Sequence, residues 1–153
     1  MLGTKTRLTA VCMAVLAMTA IAPPANAAPS TLVSVGPGSL VADGAAVDVP
    51  LTFVCDSDPT LLFAVPFVEV NQRVSDGRIA NGFGNEEASC TRQAQTVTVR
   101  VIPRVMAFNP GTAVATVMLQ TCNAQFQCAV TRVDTEIQLT EPGGAHIPPM
   151  ARE

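Results

Sequence analysis

Thr112 to Leu139 reads TAVATVMLQTCNAQFQCAVTRVDTEIQL, two β-prone arms joined across Cys122-Asn-Ala-Gln-Phe-Gln-Cys128. A disulfide between Cys122 and Cys128 would set the register of an antiparallel hairpin in which opposed residues have numbers summing to 250. That register places Val117 opposite Val133, Ala115 opposite Thr135 and Ala113 opposite Ile137. The apolar members then share one face, as the two-residue period of a strand requires. Cysteine spacing and hydrophobic alternation thus agree on one structure.

The chain has 153 residues and five cysteines. Lys5 and Arg7 precede an apolar run from Ala10 to Ala22, and Ala25-Asn26-Ala27 has the small-x-small form cut by signal peptidase. Residues 1–27 are therefore expected to be an export signal. The run is shorter than the roughly 20 apolar residues that span a bilayer, so no membrane span is expected after cleavage. Cys12 leaves with the signal, and Cys55, Cys90, Cys122 and Cys128 remain. An even number of cysteines in an exported chain implies disulfides. The hairpin favours Cys122 with Cys128, which leaves Cys55 for Cys90. Without a C-x-x-C pair or a nearby histidine, the four make a poor zinc site.

Removing Lys5 and Arg7 takes nine basic residues to seven against twelve acidic ones, a net charge of −5. With no basic cluster to contact phosphates, nucleic acid is not an expected partner.

Read in order, Ser30–Val35 and Ser39–Gly44 are short strands separated by Gly36-Pro37-Gly38. Val47–Cys55 alternates, with Cys55 inward and a free edge or bulge expected at Pro50, which has no N–H to donate. Thr60–Val74 changes parity between Leu61/Phe63/Val65 and Val68/Val70, so a break is expected at Pro66. Ser75–Ser89, with Gly77, Gly82 and Gly84, reads as the longest loop. Gln95–Ile102 alternates with Val97, Val99 and Val101 inward. Residues 28–140 form the expected domain, and 141–153 a disordered tail.

About seven strands with turn signals between them, and no helical period, indicate an all-β, antiparallel Greek-key sandwich of immunoglobulin-like type with two disulfides. The export signal, the acidic β domain and the small disulfide clasping the last hairpin resemble the secreted immunoglobulin-like sandwiches of Gram-positive bacteria. Neocarzinostatin-type apoproteins belong to that group, and only Cys122 and Cys128 match them in position. The resemblance is architectural. It implies a cleft between sheet and loops that would hold a small apolar molecule.

Chemistry-bearing residues are sparse. The lone histidine, His146, sits in the Pro/Gly-rich tail, where no third group would orient it as a general base. Asp56 with Asp58, and Glu86 with Glu87, are turn acids with no defined separation across a groove, and their convergence with Asp76 on a calcium ion would lack any EF-hand spacing. No catalytic residue, metal or cofactor is expected. The binding candidates are Asn123, Gln125 and Phe126 in the disulfide loop and Phe83 between two glycines. They leave three readings for a non-catalytic, secreted or cell-wall-associated domain with an unknown protein or small-molecule ligand. It is a binding or structural module, a small-molecule carrier, or a protease inhibitor presenting residues 122–128.

Overall fold

The computed structural model describes residues 30–55 and 61–142. Residues 1–27, expected to be an export signal, the acids Asp56 and Asp58, and the residues beyond 142 with His146 lie outside them. Among the described residues there is no helix, and the strands are β1 (Thr31–Val35), β2 (Gly38–Val41), β3 (Ala46–Val54), β4 (Leu61–Ser75), β5 (Arg78–Asn85), β6 (Ala88–Ser89), β7 (Gln95–Pro103), β8 (Gly111–Asn123) and β9 (Cys128–Thr140).

The β8–β9 hairpin has the register expected of it, from Gly111 opposite Leu139 to Cys122 opposite Cys128. Both disulfides, Cys122–Cys128 and Cys55–Cys90, are formed. Disulfides persist in oxidising compartments, and the folded chain is consistent with one.

The two separate sheets of a sandwich are replaced by a ring. Pairing runs β3-β2-β9-β8-β4-β5-β7 and returns to β3, a closed seven-strand barrel with β1 appended to β3 and β6 to β4. Every pairing is antiparallel except β2–β9. The ring is thin at two seams. Gly38–Leu139 and Ser39–Thr140 join β2 to β9, and Gly82–Pro103 and Phe83–Ile102 join β5 to β7. Closure at the second seam depends on residues read from sequence as loop. Gly82 and Gly84 occupy inward positions of β5, where a Cβ would collide with the main chain of Ile102 and Arg100. Glycine serves close backbone approach here, a known use inside strands.

Barrel-facing residues alternate as a half-buried strand requires. Val47, Val49, Leu51 and Phe53 of β3, Val99 and Val101 of β7, Ala113, Ala115, Val117 and Leu119 of β8, and Ile137 and Leu139 of β9 are buried. On β4 the inward set is Leu61, then Ala64, Pro66, Val68, Val70 and Gln72. The change of face therefore falls between Leu61 and Phe63, where the register with β8 shifts, and not at Pro66. One long strand takes the place of the two expected pieces. Pro50 occupies the gap between the stretch of β3 paired to β2 and that paired to β1, and its carbonyl accepts from Gly36 N–H at 2.8 Å. The expected free position is present.

The segment between β7 and β8 folds over the barrel end remote from the disulfides. Its Phe108 is almost wholly buried, and Phe108 N–H donates to the Gly44 carbonyl at 3.0 Å. Buried Gln72 holds the next residue at both main-chain groups, donating to Asn109 O at 2.7 Å and accepting from Asn109 N at 2.9 Å.

On the outside of β3 and β7, Asp48 and Arg100 are directly opposed and form a two-point ion pair at 2.8 Å. The hydrogen bond from Arg100 is the main reason the Asp48 carboxyl titrates below its usual range. Asp134 is lowered chiefly by the hydroxyl of Thr116 at 2.6 Å, with Arg132 adding to it. A folded-state pKa below the unfolded one stabilises the protein above the unfolded value, about 3.9 for Asp. The contribution is lost as pH falls through the folded value. Thermal midpoints measured between pH 6 and pH 2 are expected to hold steady and then drop below about pH 4, with a shallower drop in Asp48→Asn.

Candidate functional site

The outer face of the β5-β4-β8-β9 sheet carries side chains of the opposite parity from the core. Its half nearer the disulfide loop is apolar. Phe67 on β4 is paired with Met118 on β8, and Gln120 lies between Val65 and Val130. Phe83 reaches the same surface from β5 and stacks on Phe67, with ring centres 6.0 Å apart and planes inclined by 27°. Offset aromatic pairs of this kind add to the burial of their area. The Arg104 guanidinium lies 6.0 Å from the centre of the Phe83 ring, within range of a cation–π contact. Phe67, Phe83, Met118, Gln120 and Val130 line an open trough of about 340 Å³. Two wider depressions, about 490 and 550 Å³, lie at the other end of the barrel around Asn109 and Pro110 and share none of these residues.

Beyond Phe83 the face turns polar. Asn81 donates to Glu69 and to Asn71 at 2.8 Å, and Asn71 donates to Glu69 at 3.3 Å. This closed cluster uses its own donors and acceptors and borders the apolar half.

At the hairpin tip the four-residue turn is organised by Asn123. Its carboxamide oxygen accepts from Gln125 N and Gln127 N at 3.0 and 2.9 Å, and its amide nitrogen donates to the Gln127 side chain at 2.9 Å. Asn123 is buried, whereas Gln125 is exposed and Phe126 is 82% exposed. Phe126 also has φ +58°, the left-handed region that bulky residues rarely adopt. Its ring neither packs on the hairpin nor fills a pocket.

Of the residues selected from sequence, Asn123, Gln125 and Phe126 lie together at the tip. Phe83 lies on a strand in the trough and not on a mobile loop. Phe67, Met118, Val130 and Arg104 were not selected. The hairpin register already placed Met118 and Val130 on the outward parity, and their apolarity there was the available signal. Asp76 and the Glu86–Glu87 pair are exposed at opposite ends of the eight-residue β5, so they do not converge on one ion. Among the described residues no group of three or more His, Cys, Asp or Glu is placed to hold a metal.

No known family model matches the chain, and no curated protein matches it. Among solved structures, AggA, the major subunit of aggregative adherence fimbriae type I from Escherichia coli, aligns over 74% of this chain and 95% of its own, with 14% identity and a TM-score of 0.36. At that identity and score the likeness is limited to richness in β structure, and the reading of the site rests on its geometry.

The hairpin disulfide joins cysteines six positions apart in sequence. Chain entropy for so short a loop is worth about 2 kcal/mol. Cys122→Ser with Cys128→Ser is expected to lower urea stability by about that amount, while amide exchange continues to report the same β8–β9 register, because the ladder and Asn123 also define it.

Proposed function

We propose that the chain is an exported, non-catalytic binding module, built on the closed seven-strand barrel, that engages a partner protein through the hairpin tip and the adjoining trough. The observation that carries this reading is Phe126. A phenylalanine at positive φ costs about 1 to 2 kcal/mol relative to a relaxed backbone, and a ring left in water returns nothing to the fold. Glycine or asparagine would suit the turn better. Held by a disulfide and by Asn123, the backbone that presents the ring is pre-ordered and loses little freedom on docking, which favours aromatic anchors at interfaces. Phe67, Phe83, Met118 and Val130 supply apolar floor beside it, and Arg104 and Arg132 its charged rim.

A photoreactive phenylalanine analogue at position 126, introduced in producing cells, is expected to give a discrete adduct to a partner protein. The same analogue at Val105, 80% exposed and remote from the tip, is expected to give none. Equal labelling from both positions, or from neither, would remove the assignment. Phe126→Gly offers a second check, since it should abolish co-purification of the partner while leaving the fold as stable or more so.

The exposed ring in a disulfide-closed loop also supports a narrower reading as a protease inhibitor, with Phe126 entering a large apolar specificity pocket. Inhibition of chymotrypsin-like enzymes that is lost in Phe126→Gly would select it. A small-molecule carrier has less support, because an open trough covers one side of a ligand where tight sites enclose most of it.

A further inference from the structure

β9 is a 13-residue strand with neither proline nor bulge, and among the described residues its outer edge is strand-paired only where β2 meets Leu139 and Thr140. Which main-chain groups face that edge follows from the hairpin. Asn123 N–H bonds the Gln127 carbonyl at 3.0 Å, and the next pair, Cys122 with Cys128, has its Cα atoms 4.2 Å apart, the separation of a non-hydrogen-bonded pair. Counting on through the ladder, odd-numbered residues of β9 direct their N–H and C=O groups to β8. The even-numbered residues Val130, Arg132, Asp134 and Glu136 direct theirs away from it. β1 approaches this edge through odd-numbered side chains. Thr131 donates to the Ser30 carbonyl at 2.8 Å, and Val133 and Thr135 line a narrow groove with Leu32 to Val35. Among the described residues β1 forms no strand pairing with β9, so no ladder there uses the even-numbered main-chain groups.

We propose that this edge is a homodimer interface, in which β9 pairs antiparallel with β9 of a second copy about a two-fold axis through Val133. Unpaired edges invite such addition, and natural proteins usually block it with charges or breaks. Here the charges select a single register. With Val133 opposite its own copy, Arg132 lies opposite Asp134 of the second chain, and Asp134 opposite its Arg132. Val130 then lies opposite Glu136, and Thr131 opposite Thr135. Only even-numbered residues form the hydrogen-bonded pairs, so the outward groups meet outward groups and about eight main-chain bonds form. A shift of one residue in the axis brings Arg132 against Arg132, or Asp134 against Asp134, and like charges directly opposed are destabilising. An interface about a two-fold must be self-complementary, and Arg132-Val133-Asp134 is the smallest sequence that meets this condition with opposite charges. Exposed Val33 and Val133, 55% and 36% accessible, flank the axis and supply apolar area to bury. The outer faces of the two barrels would join into one sheet, with both troughs on the same side.

The test is the mass of the folded chain in solution by light scattering, with circular dichroism to confirm folding. The native chain is expected to be a dimer. Arg132→Asp or Asp134→Arg alone places like charges opposite each other twice and is expected to weaken the dimer at least about tenfold. The double reversal Arg132→Asp with Asp134→Arg restores the pairing and should restore the dimer. Arg132→Pro removes an outward N–H without touching the β8 ladder and is expected to give a folded monomer. Val133→Cys should form a disulfide with its own copy, because non-hydrogen-bonded pairs bring Cα atoms within bridging distance. A native chain that stays monomeric at every accessible concentration, or a dimer indifferent to the single reversals, would overturn the proposal. So would a double reversal that fails to recover the dimer.

Discussion

Gly84→Ala is expected to cost about 3 to 5 kcal/mol, at the upper end of what one substitution does. The residue lies on β5 facing inward, and an added Cβ would fall on the Arg100 carbonyl oxygen, 2.7 Å from its carbon and 3.1 Å from the Val101 Cα. All of these are main-chain atoms of β7, so no side-chain rotation relieves the contact. The strands must separate, and the β5–β7 seam has only two paired positions to lose. A control lies in the turn that precedes the same strand. Gly77 also precludes a relaxed alanine, because its φ is +72°, but no atom lies within 4 Å of where a Cβ would go. Gly77→Ala should therefore cost only about 1 to 2 kcal/mol of backbone strain. Urea unfolding of the two variants separates crowding from conformational strain, and equal losses would show that the seam is not held by close approach.

Phe108→Ala is expected to cost about 3 to 5 kcal/mol, the usual range for a buried aromatic truncated to alanine. Phe108 closes the barrel end opposite the disulfides, and the elements around it are shaped to its backbone as well as its ring. Gly44, at φ +82°, lies so near the Phe108 carbonyl that a Cβ would overlap it, and the Phe108 ring reaches within 2.9 Å of the Cβ position at Gly82. Loss of the ring would leave a cavity at that end of the barrel. The Gln72 clamp on Asn109 would keep the segment in place, so the cavity could not be filled by collapse. Phe108→Leu, which retains most of the volume, should cost less than half as much by thermal or urea denaturation. If both variants lose equally, the ring is not what seals that end.

The sequence carried the hairpin legibly because two independent signals, cysteine spacing and apolar alternation, had one common solution. β3 and β7 were legible for the simpler reason that each alternates without interruption. β5 was not. Its Gly82 and Gly84 are the residues by which loops are recognised, and they were chosen instead by a neighbouring main chain more than fifteen residues away in sequence. The distinction between a sandwich and a barrel was hidden for the same cause, since it turns on two seams of two paired positions each. On β4 the change of face was assigned to Pro66, the residue that breaks strands by its own chemistry, whereas the register slips beside Leu62, which has no such mark. The site was half legible. An aromatic residue in a disulfide loop attracts notice wherever it lies, but Phe67 and Met118 read as core until strand parity turns them outward.

The parallel β2–β9 seam joins residues about a hundred positions apart, one near the beginning of the described residues and one near their end. Contacts of that separation are formed late, because the entropy of closing so long a loop must be met before they contribute. During synthesis β2 emerges early and can pair with β3 at once, yet its second neighbour does not exist until residue 140 has been made. The growing chain therefore passes through a stage in which six of the seven ring pairings are possible and the last is not. In that interval β2 and β9 both present bare edges. The seam acts as a timer, marking the moment after which the Leu139–Thr140 end of β9 is no longer available to other strands.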